Sequence, residues 1–160
     1  MDWLFDHGHW NYNGNQTSHQ ISKKFKIMSP RLRSVVATAA GIVTGVIVIS
    51  AVEAVSNNMY PLPAGVDPKN LEALKAVILT MPNGAFLMIM LGHMLGALSA
   101  GIVSMLIAKD TFRPTFVCGG MFMVFGLINL VVLPHPMFVW AEVLGYIPLA
   151  YLGAKLVRKN

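Results

Sequence analysis

Residues 34–56 read SVVATAAGIVTGVIVISAVEAVS, and this stretch decides the fold. A helix needs roughly 20 apolar residues to cross the hydrocarbon core of a bilayer, and Glu53 is the only acidic or basic residue in the stretch. Three further apolar stretches follow, at about residues 82–108, 114–133 and 136–157. The sequence therefore predicts an all-α integral membrane protein, with a four-helix transmembrane domain over residues 34–157.

The composition agrees with lipid as the main solvent of the chain. Of the 160 residues, 55% are hydrophobic and 12% are charged, whereas about 25% of the residues of a soluble domain are charged. The net charge is +5, which membrane proteins acquire from Lys and Arg in their cytoplasmic segments. We therefore expect the lipid bilayer as a partner and no nucleic acid.

Lysine and arginine are distributed unequally between the two sides of the predicted spans. The 57–81 loop holds only Lys69 and Lys75, and the 134–136 turn holds none. The other basic residues lie in the tail, in the 109–113 loop and at the C terminus: Lys23, Lys24, Lys26, Arg31, Arg33, Lys109, Arg113, Lys155, Arg158 and Lys159. Because basic residues are retained in the cytoplasm, the sequence predicts that both termini are cytoplasmic.

Residues 1–33 form a predicted cytoplasmic tail that is basic and aromatic. A segment of this kind can dock on a partner protein or lie on an anionic leaflet, although plain disorder is the alternative. His7 and His9 match no closed zinc site, because no cysteine lies near them. The residues that we select as candidates for docking on a partner are aromatic: Trp3, Phe5, Trp10 and Tyr12.

Proline and polar residues predict the breaks between the spans. In the 57–81 loop, Asp67 is a predicted N-cap with Pro68 at the first helical position. In the fourth span, Pro148 is expected to kink the helix, because proline removes a backbone hydrogen bond.

Polar side chains within the spans are the candidates for function, since charge inside a bilayer costs about 2.5–3.5 kcal/mol at a helix centre. Each span places one such group in the predicted outer half of the membrane, and we expect the four to converge: Glu53, His93, Asn129 and Glu142. The alternatives are that Glu53 and Glu142 reach the aqueous interface, and that His93 is a neutral packing residue.

Small residues at helical spacing indicate where the helices pack closely. On the second span, His93 shares a face with Gly96, Ala97, Ala100 and Ser104, so we expect it to face another helix. The candidate packing residues are small: Gly41, Gly45, Gly92, Gly96 and Ala100.

Six short motifs between the spans and within them form a recognisable set: Glu53, residues 58–63 (NMYPLP), 65–68 (GVDP), 82–85 (PNGA), 92–98 (GHMLGAL) and 133–136 (LPHP) with Trp140. Together they resemble a group of small uncharacterised bacterial inner-membrane proteins with four spans. The resemblance covers about residues 34–157 and omits the tail. It implies a four-helix bundle in the bacterial inner membrane, and it supplies no activity and no catalytic residue.

The sequence leaves three functions open. The first is a non-catalytic accessory or structural subunit of a larger membrane complex, because the chain is small and its tail is aromatic. The second is a small oligomeric proton-coupled transporter that uses the intramembrane Glu and His residues, since histidine changes charge near neutral pH. The third is a haem- or metal-binding membrane protein with His93 and His135 as ligands. No catalytic set, metal site or phosphate-binding loop is visible in the sequence, so we predict no enzyme activity and no cofactor.

Overall fold

The computed structural model describes residues 28–67 and 69–158. The candidate docking residues Trp3, Phe5, Trp10 and Tyr12 lie outside the described residues. The chain divides into two compact units, residues 1–33 and 34–160. Of the first unit only residues 28–33 are described, and they include the first turn of the first helix.

Every element of the described residues is helical. The helices are α1 (Pro30–Met59), α2 (Leu71–Ile78), α3 (Asn83–Ala108), α4 (Arg113–Val132), a 3₁₀ helix (Met137–Leu144) and α5 (Tyr146–Val157). Among them α1, α3 and α4 are each long and apolar enough to cross a membrane. The 3₁₀ helix and α5 together form a fourth candidate span, which is bent by 42°. The chain is thus an all-α protein with three or four helices that could span a membrane.

The fourth span is bent at Gly145, between the 3₁₀ helix and α5. The kink predicted from Pro148 is therefore confirmed, and it lies three residues before the proline. A proline cannot donate to the carbonyl four residues earlier, and its ring clashes with that carbonyl. Here the carbonyl belongs to Leu144, the last residue of the 3₁₀ helix.

Helix α2 begins later than the sequence predicted. Its N-cap is Asn70, whose side chain accepts a hydrogen bond from the backbone N–H of Ala73 at 3.2 Å. Asp67 was the wrong N-cap: its carboxylate accepts instead from the N–H of Lys69 at 2.9 Å, in the turn before the helix. Helix α2 packs on the bundle through Ile78, in a cluster with Phe86, Leu130 and Val139.

Helices α1 and α3 are antiparallel and cross at glycines. A methyl group placed on Gly41 would lie 2.8 Å from the carbonyl oxygen of Ala100, and one on Gly45 would lie 2.9 Å from that of Gly96. Further along the pair, a methyl group on Gly92 would lie 3.2 Å from the side chain of Val52. Small residues at these positions let the two backbones approach closely.

Helices α3 and α5 approach each other even more closely. A methyl group on Gly101 would overlap the backbone of Ala150, and one on Gly153 would overlap the carbonyl of Leu98. Because no side chain separates these backbones, the contact fixes how deeply α5 sits in the bundle. It also places Glu142 and Tyr146, which precede Ala150 by eight and four residues, beside the middle of α3.

The outer surface of residues 34–158 is largely apolar. Large hydrophobic side chains that are about half exposed or more occur on α1, α3, α4 and α5, for example Ile47, Leu87, Val131 and Leu156. A surface of this kind suits contact with lipid. It leaves the small and polar residues of the chain for the interior of the bundle.

Candidate functional site

Three buried side chains form a hydrogen-bonded cluster between α3 and the fourth span. His93 Nδ1 lies 3.2 Å from Glu142 Oε2 and 3.2 Å from the hydroxyl of Tyr146. That hydroxyl donates to Glu142 Oε1 at 3.0 Å. Glu142 and Tyr146 are each 1% exposed and His93 is 9% exposed. We name these three residues the triad.

The hydrogen bonds of the triad determine which atoms remain free. Both carboxyl oxygens of Glu142 accept, one from Tyr146 and one from His93, when His93 carries its proton on Nδ1. A carboxylate that orients a histidine through one ring nitrogen leaves the other nitrogen as an acceptor. His93 Nε2 makes no hydrogen bond within residues 28–67 and 69–158. It is not fully buried, so it retains some accessible surface.

A crevice of about 350 Å³ lies directly above the triad. Val46 of α1 and Phe125 of α4 are 49% and 54% exposed, so they form its mouth, which opens on the outer surface of the bundle. Ligand pockets usually have volumes of about 300–1,000 Å³ and mostly apolar linings with a few polar groups. The lining has this character: Val46, Ile49, His93, Phe122, Phe125, Gly126, Asn129 and Tyr146.

Two of the residues selected from the sequence, His93 and Glu142, are hydrogen-bonded to each other, and a third, Asn129, lines the crevice with His93. The amide of Asn129 is half-buried and makes no side-chain hydrogen bond within the described part of the chain. Glu53 is placed differently. It is half-buried on α1, four residues beyond Ile49, and no hydrogen bond joins it to the triad.

Tyr146 and Gly126 are site residues that the sequence reasoning did not select. A methyl group on Gly126 would overlap the hydroxyl of Tyr146, so a glycine at this position of α4 makes room for the tyrosine ring. The available signal was the spacing of four residues between Glu142 and Tyr146, which puts an acceptor and a donor on one face of a helix.

Three further side chains within the helices, Ser104, Thr115 and Cys118, make polar contacts away from the crevice. The Ser104 hydroxyl donates to the carbonyl of Gly101 at 3.0 Å and lies 2.9 Å from the Thr115 hydroxyl. The thiol of Cys118 lies 3.5 Å from the carbonyl oxygen of Thr38. These contacts join α1, α3 and α4 below the crevice.

His135 lies apart from the triad. Its Nδ1 is 2.8 Å from the carbonyl oxygen of Leu133, and its ring packs edge-on against Phe86 at 5.9 Å between centroids. Phe86 precedes His93 by seven residues on α3, about 10 Å along the helix axis. In residues 28–67 and 69–158 no three His, Cys, Asp or Glu side chains come close enough together to hold a metal ion.

No match to this chain was found among protein-family models, curated proteins or solved structures. The resemblance to small bacterial inner-membrane proteins therefore stays a prediction from its motifs, and the geometry of the triad and crevice is the basis for assigning a function.

Proposed function

We propose that this protein is a small proton-coupled carrier of the bacterial inner membrane, in which the triad is the proton-binding site. One observation carries the proposal: Glu142 is 1% exposed, inside a helix bundle, and is hydrogen-bonded to His93 beneath an open crevice. Ionisable groups in such places are costly, and in membrane proteins they mark proton relays and substrate paths.

The arrangement suits proton exchange because His93 and Glu142 can each accept a proton that the other releases. Histidine and a carboxylate share a proton across a 3.2 Å contact, and the Tyr146 hydroxyl bonds to both. His93 connects this network to the crevice. A molecule bound in the crevice can therefore alter which atom of the triad carries the proton.

Four helices leave little room for a substrate path within one chain, so we propose that the carrier works as an oligomer. The mouth between Val46 and Phe125 lies on the side of the bundle and not at either end. A second copy packed beside the mouth, with the gap between α1 and α4 left open to lipid, would complete a path across the membrane.

We further propose that both termini are cytoplasmic. Arg158 lies over the ring of Phe112, 4.5 Å from its centroid, so the α3–α4 loop and the end of α5 meet at one end of the bundle. Lys109, Arg113 and Lys155 belong to the same segments. Basic residues concentrated at one end favour its retention in the cytoplasm.

Cysteine labelling in intact cells tests the orientation. Ala64→Cys lies in the exposed loop before α2 and Lys155→Cys lies on the exposed last turn of α5, while the native Cys118 is fully buried. A membrane-impermeant maleimide is expected to label Ala64→Cys in intact cells and Lys155→Cys only after permeabilisation. The reverse pattern would refute the cytoplasmic assignment.

Proton flux into liposomes that contain the purified protein tests the carrier. Glu142→Gln retains the size of the side chain and one acceptor for Tyr146 but removes the exchangeable proton, so the flux is expected to fall to the level of empty liposomes. Glu53→Gln is the matched control, because Glu53 has no hydrogen bond to the triad. Equal flux from wild type and Glu142→Gln would refute the proposal.

The second candidate is a non-catalytic accessory subunit. The observation that favours it is that the triad is satisfied within one chain and joins the bent fourth span to α3, which a purely structural clamp would also do. In that case Glu142→Gln weakens assembly, and purification in mild detergent yields a stoichiometric complex with another membrane protein. A homo-oligomer with Glu142-dependent flux supports the carrier instead.

A further inference from the structure

We infer that the crevice binds the hydroxyl head of an uncharged, membrane-dissolved amphiphile, which enters sideways between α1 and α4 and donates a hydrogen bond to His93 Nε2. The inference rests on the proposed function in one respect, namely that the crevice above the triad is the working site. It adds the chemical class of the molecule that occupies this site.

The Nε2 atom of His93 is a free hydrogen-bond acceptor at the floor of the crevice. His93 is about nine-tenths buried and lines the crevice. Its Nδ1 is taken up by Glu142 and Tyr146, and its Nε2 has no partner among the described residues. Nε2 retains some accessible surface, but lipid chains offer no hydrogen-bond donor to it. A ligand that donates to Nε2 therefore gains a hydrogen bond that the bilayer core does not supply.

The second argument is the amide of Asn129, which lines the same crevice without a side-chain hydrogen bond in the described part of the chain. An amide offers both a donor and an acceptor. A hydroxyl also has both capacities, so one hydroxyl can donate to His93 and accept from Asn129. An ether or a hydrocarbon cannot satisfy the pair.

The charged groups around the crevice restrict which charge the head of the ligand can carry. The lining contains no lysine or arginine, and the charge-bearing group behind it is the carboxyl of Glu142. An anionic head would therefore lack a counterion and would be repelled. A cationic head would have to leave its hydration shell on entering from the bilayer, at a cost of several kcal/mol. An uncharged head avoids both costs.

The entry route agrees with a ligand that arrives from lipid. Val46 and Phe125 at the mouth are half-exposed and apolar, and Ile49 and Phe122 continue the apolar surface inward. At about 350 Å³ the crevice is at the small end of ligand sites. It suits a head group and the first part of a chain, while the remainder of the chain stays in the bilayer.

Photolabelling of the full chain in nanodiscs tests the inference. The probe is a 4-alkylphenol that carries a diazirine on its alkyl chain, and the labelled peptides are located by mass spectrometry. We expect labelling of the α1 and α4 peptides that contain Val46 and Phe125. We expect 4-decylphenol to compete about tenfold better than 4-decylanisole, which lacks the donor; a factor of ten corresponds to 1.4 kcal/mol.

Two pairs of variants make the result specific to the crevice. Val46→Trp fills the mouth and is expected to abolish labelling, whereas Val43→Trp, one turn away and also exposed, is expected to leave it unchanged. Asn129→Leu removes the amide at similar size and is expected to weaken competition by 4-decylphenol at least fivefold. Decan-1-ol is compared with 4-decylphenol to identify which kind of hydroxyl the site prefers, and either ranking upholds the inference.

Three results would overturn the inference. They are equal competition by 4-decylphenol and 4-decylanisole, stronger competition by decyltrimethylammonium than by the phenol, and labelling that maps away from α1 and α4. The outcome is separate from that of the proposed carrier. If the phenol binds specifically but the proton flux is unchanged in Glu142→Gln, the carrier is refuted and the ligand site stands. If the flux depends on Glu142 but the phenol does not bind, the ligand site is refuted and the carrier stands.

Discussion

The two halves of the bundle differ in how closely their helices pack. In the half nearer the α3–α4 loop, which we name the packed half, Gly41, Gly101 and Gly153 let backbone lie directly against backbone. In the other half, which we name the crevice half, side chains that include the rings of Phe122, Phe125 and Tyr146 line a space of about 350 Å³. One set of helices is thus closed at one end and open at the other.

The polar groups of the two halves differ in the same way. In the packed half, Ser104 and Thr115 bond to each other and Cys118 lies against a carbonyl of α1. In the crevice half, His93 Nε2 and the Asn129 amide have no hydrogen-bond partner within residues 28–67 and 69–158. Complete pairing gives rigidity, while unpaired groups at the edge of a cavity are available to a ligand. The packed half is therefore a scaffold for a site built in the crevice half.

The largest effect is expected where a side chain would force two backbones apart. Gly101→Ala places a methyl group against the Ala150 carbonyl, and neither backbone can yield without moving a whole helix. Overpacking typically costs about 1–3 kcal/mol, and we expect about 3 kcal/mol here. The measurement is loss of helicity on titration of detergent-solubilised protein with sodium dodecyl sulfate.

Gly120→Ala is the matched control for that variant. Gly120 also lies within a spanning helix, but no atom comes within 4 Å of the added methyl group, so its stability is expected to equal or slightly exceed that of wild type. If both variants unfold like wild type, the packed half is not the rigid scaffold described above.

A smaller loss is expected when the triad loses its central acceptor. Glu142→Leu leaves His93 Nδ1 and the Tyr146 hydroxyl buried without the carboxylate, and an unsatisfied buried polar group costs about 1–3 kcal/mol. Because the two groups still contact each other at 3.2 Å, we expect about 2 kcal/mol in the same titration. Glu142→Gln is expected to lose less than half as much unfolding free energy as Glu142→Leu. An equal loss from both variants would mean that the hydrogen-bond acceptor at this position does not contribute to stability.

The next effect couples α4 to the triad. Gly126→Ala pushes against the Tyr146 ring and hydroxyl, so we expect a loss of about 1 kcal/mol, at the low end of overpacking. Tyr146→Phe removes the hydroxyl, so the position of the ring no longer affects the hydrogen bonds to His93 and Glu142. The double variant is therefore expected to lose less unfolding free energy than the sum of the two single losses, by at least about 0.5 kcal/mol, as is usual for residues in contact. Strict additivity would show that Gly126 does not position the tyrosine.

Much of the scaffold followed from the sequence, because lipid imposes strong constraints. Apolar length alone predicts spanning helices, and α1, α3 and α4 are long and apolar enough to span. Positions that depend on local competition were predicted less well. The N-cap of α2 is Asn70 and not Asp67, because a cap depends on which neighbouring residue has the better partner in three dimensions.

The site could be predicted only in part. His93 and Glu142 stand out because charge in a bilayer demands a reason. The role of Tyr146 did not stand out, since a tyrosine in an apolar helix is ordinary, and its partners at residues 93 and 142 are fixed by the approach of α5 to Gly101. The crevice is a space between helices, and no residue pattern encodes a space directly.

The smallest effect on stability is expected at Asn129, and it is the sharpest test of the comparison between the halves. Asn129→Leu replaces an amide that makes no side-chain hydrogen bond among the described residues with a side chain of similar size, so we expect unfolding to shift by no more than about 0.5 kcal/mol. Thr115→Val makes a similarly conservative change in the packed half, where it breaks the contact with Ser104, and we expect it to cost about 1 kcal/mol. If Asn129→Leu lowers the unfolding free energy as much as Thr115→Val, the amide stabilises the fold and is not available to bind a ligand.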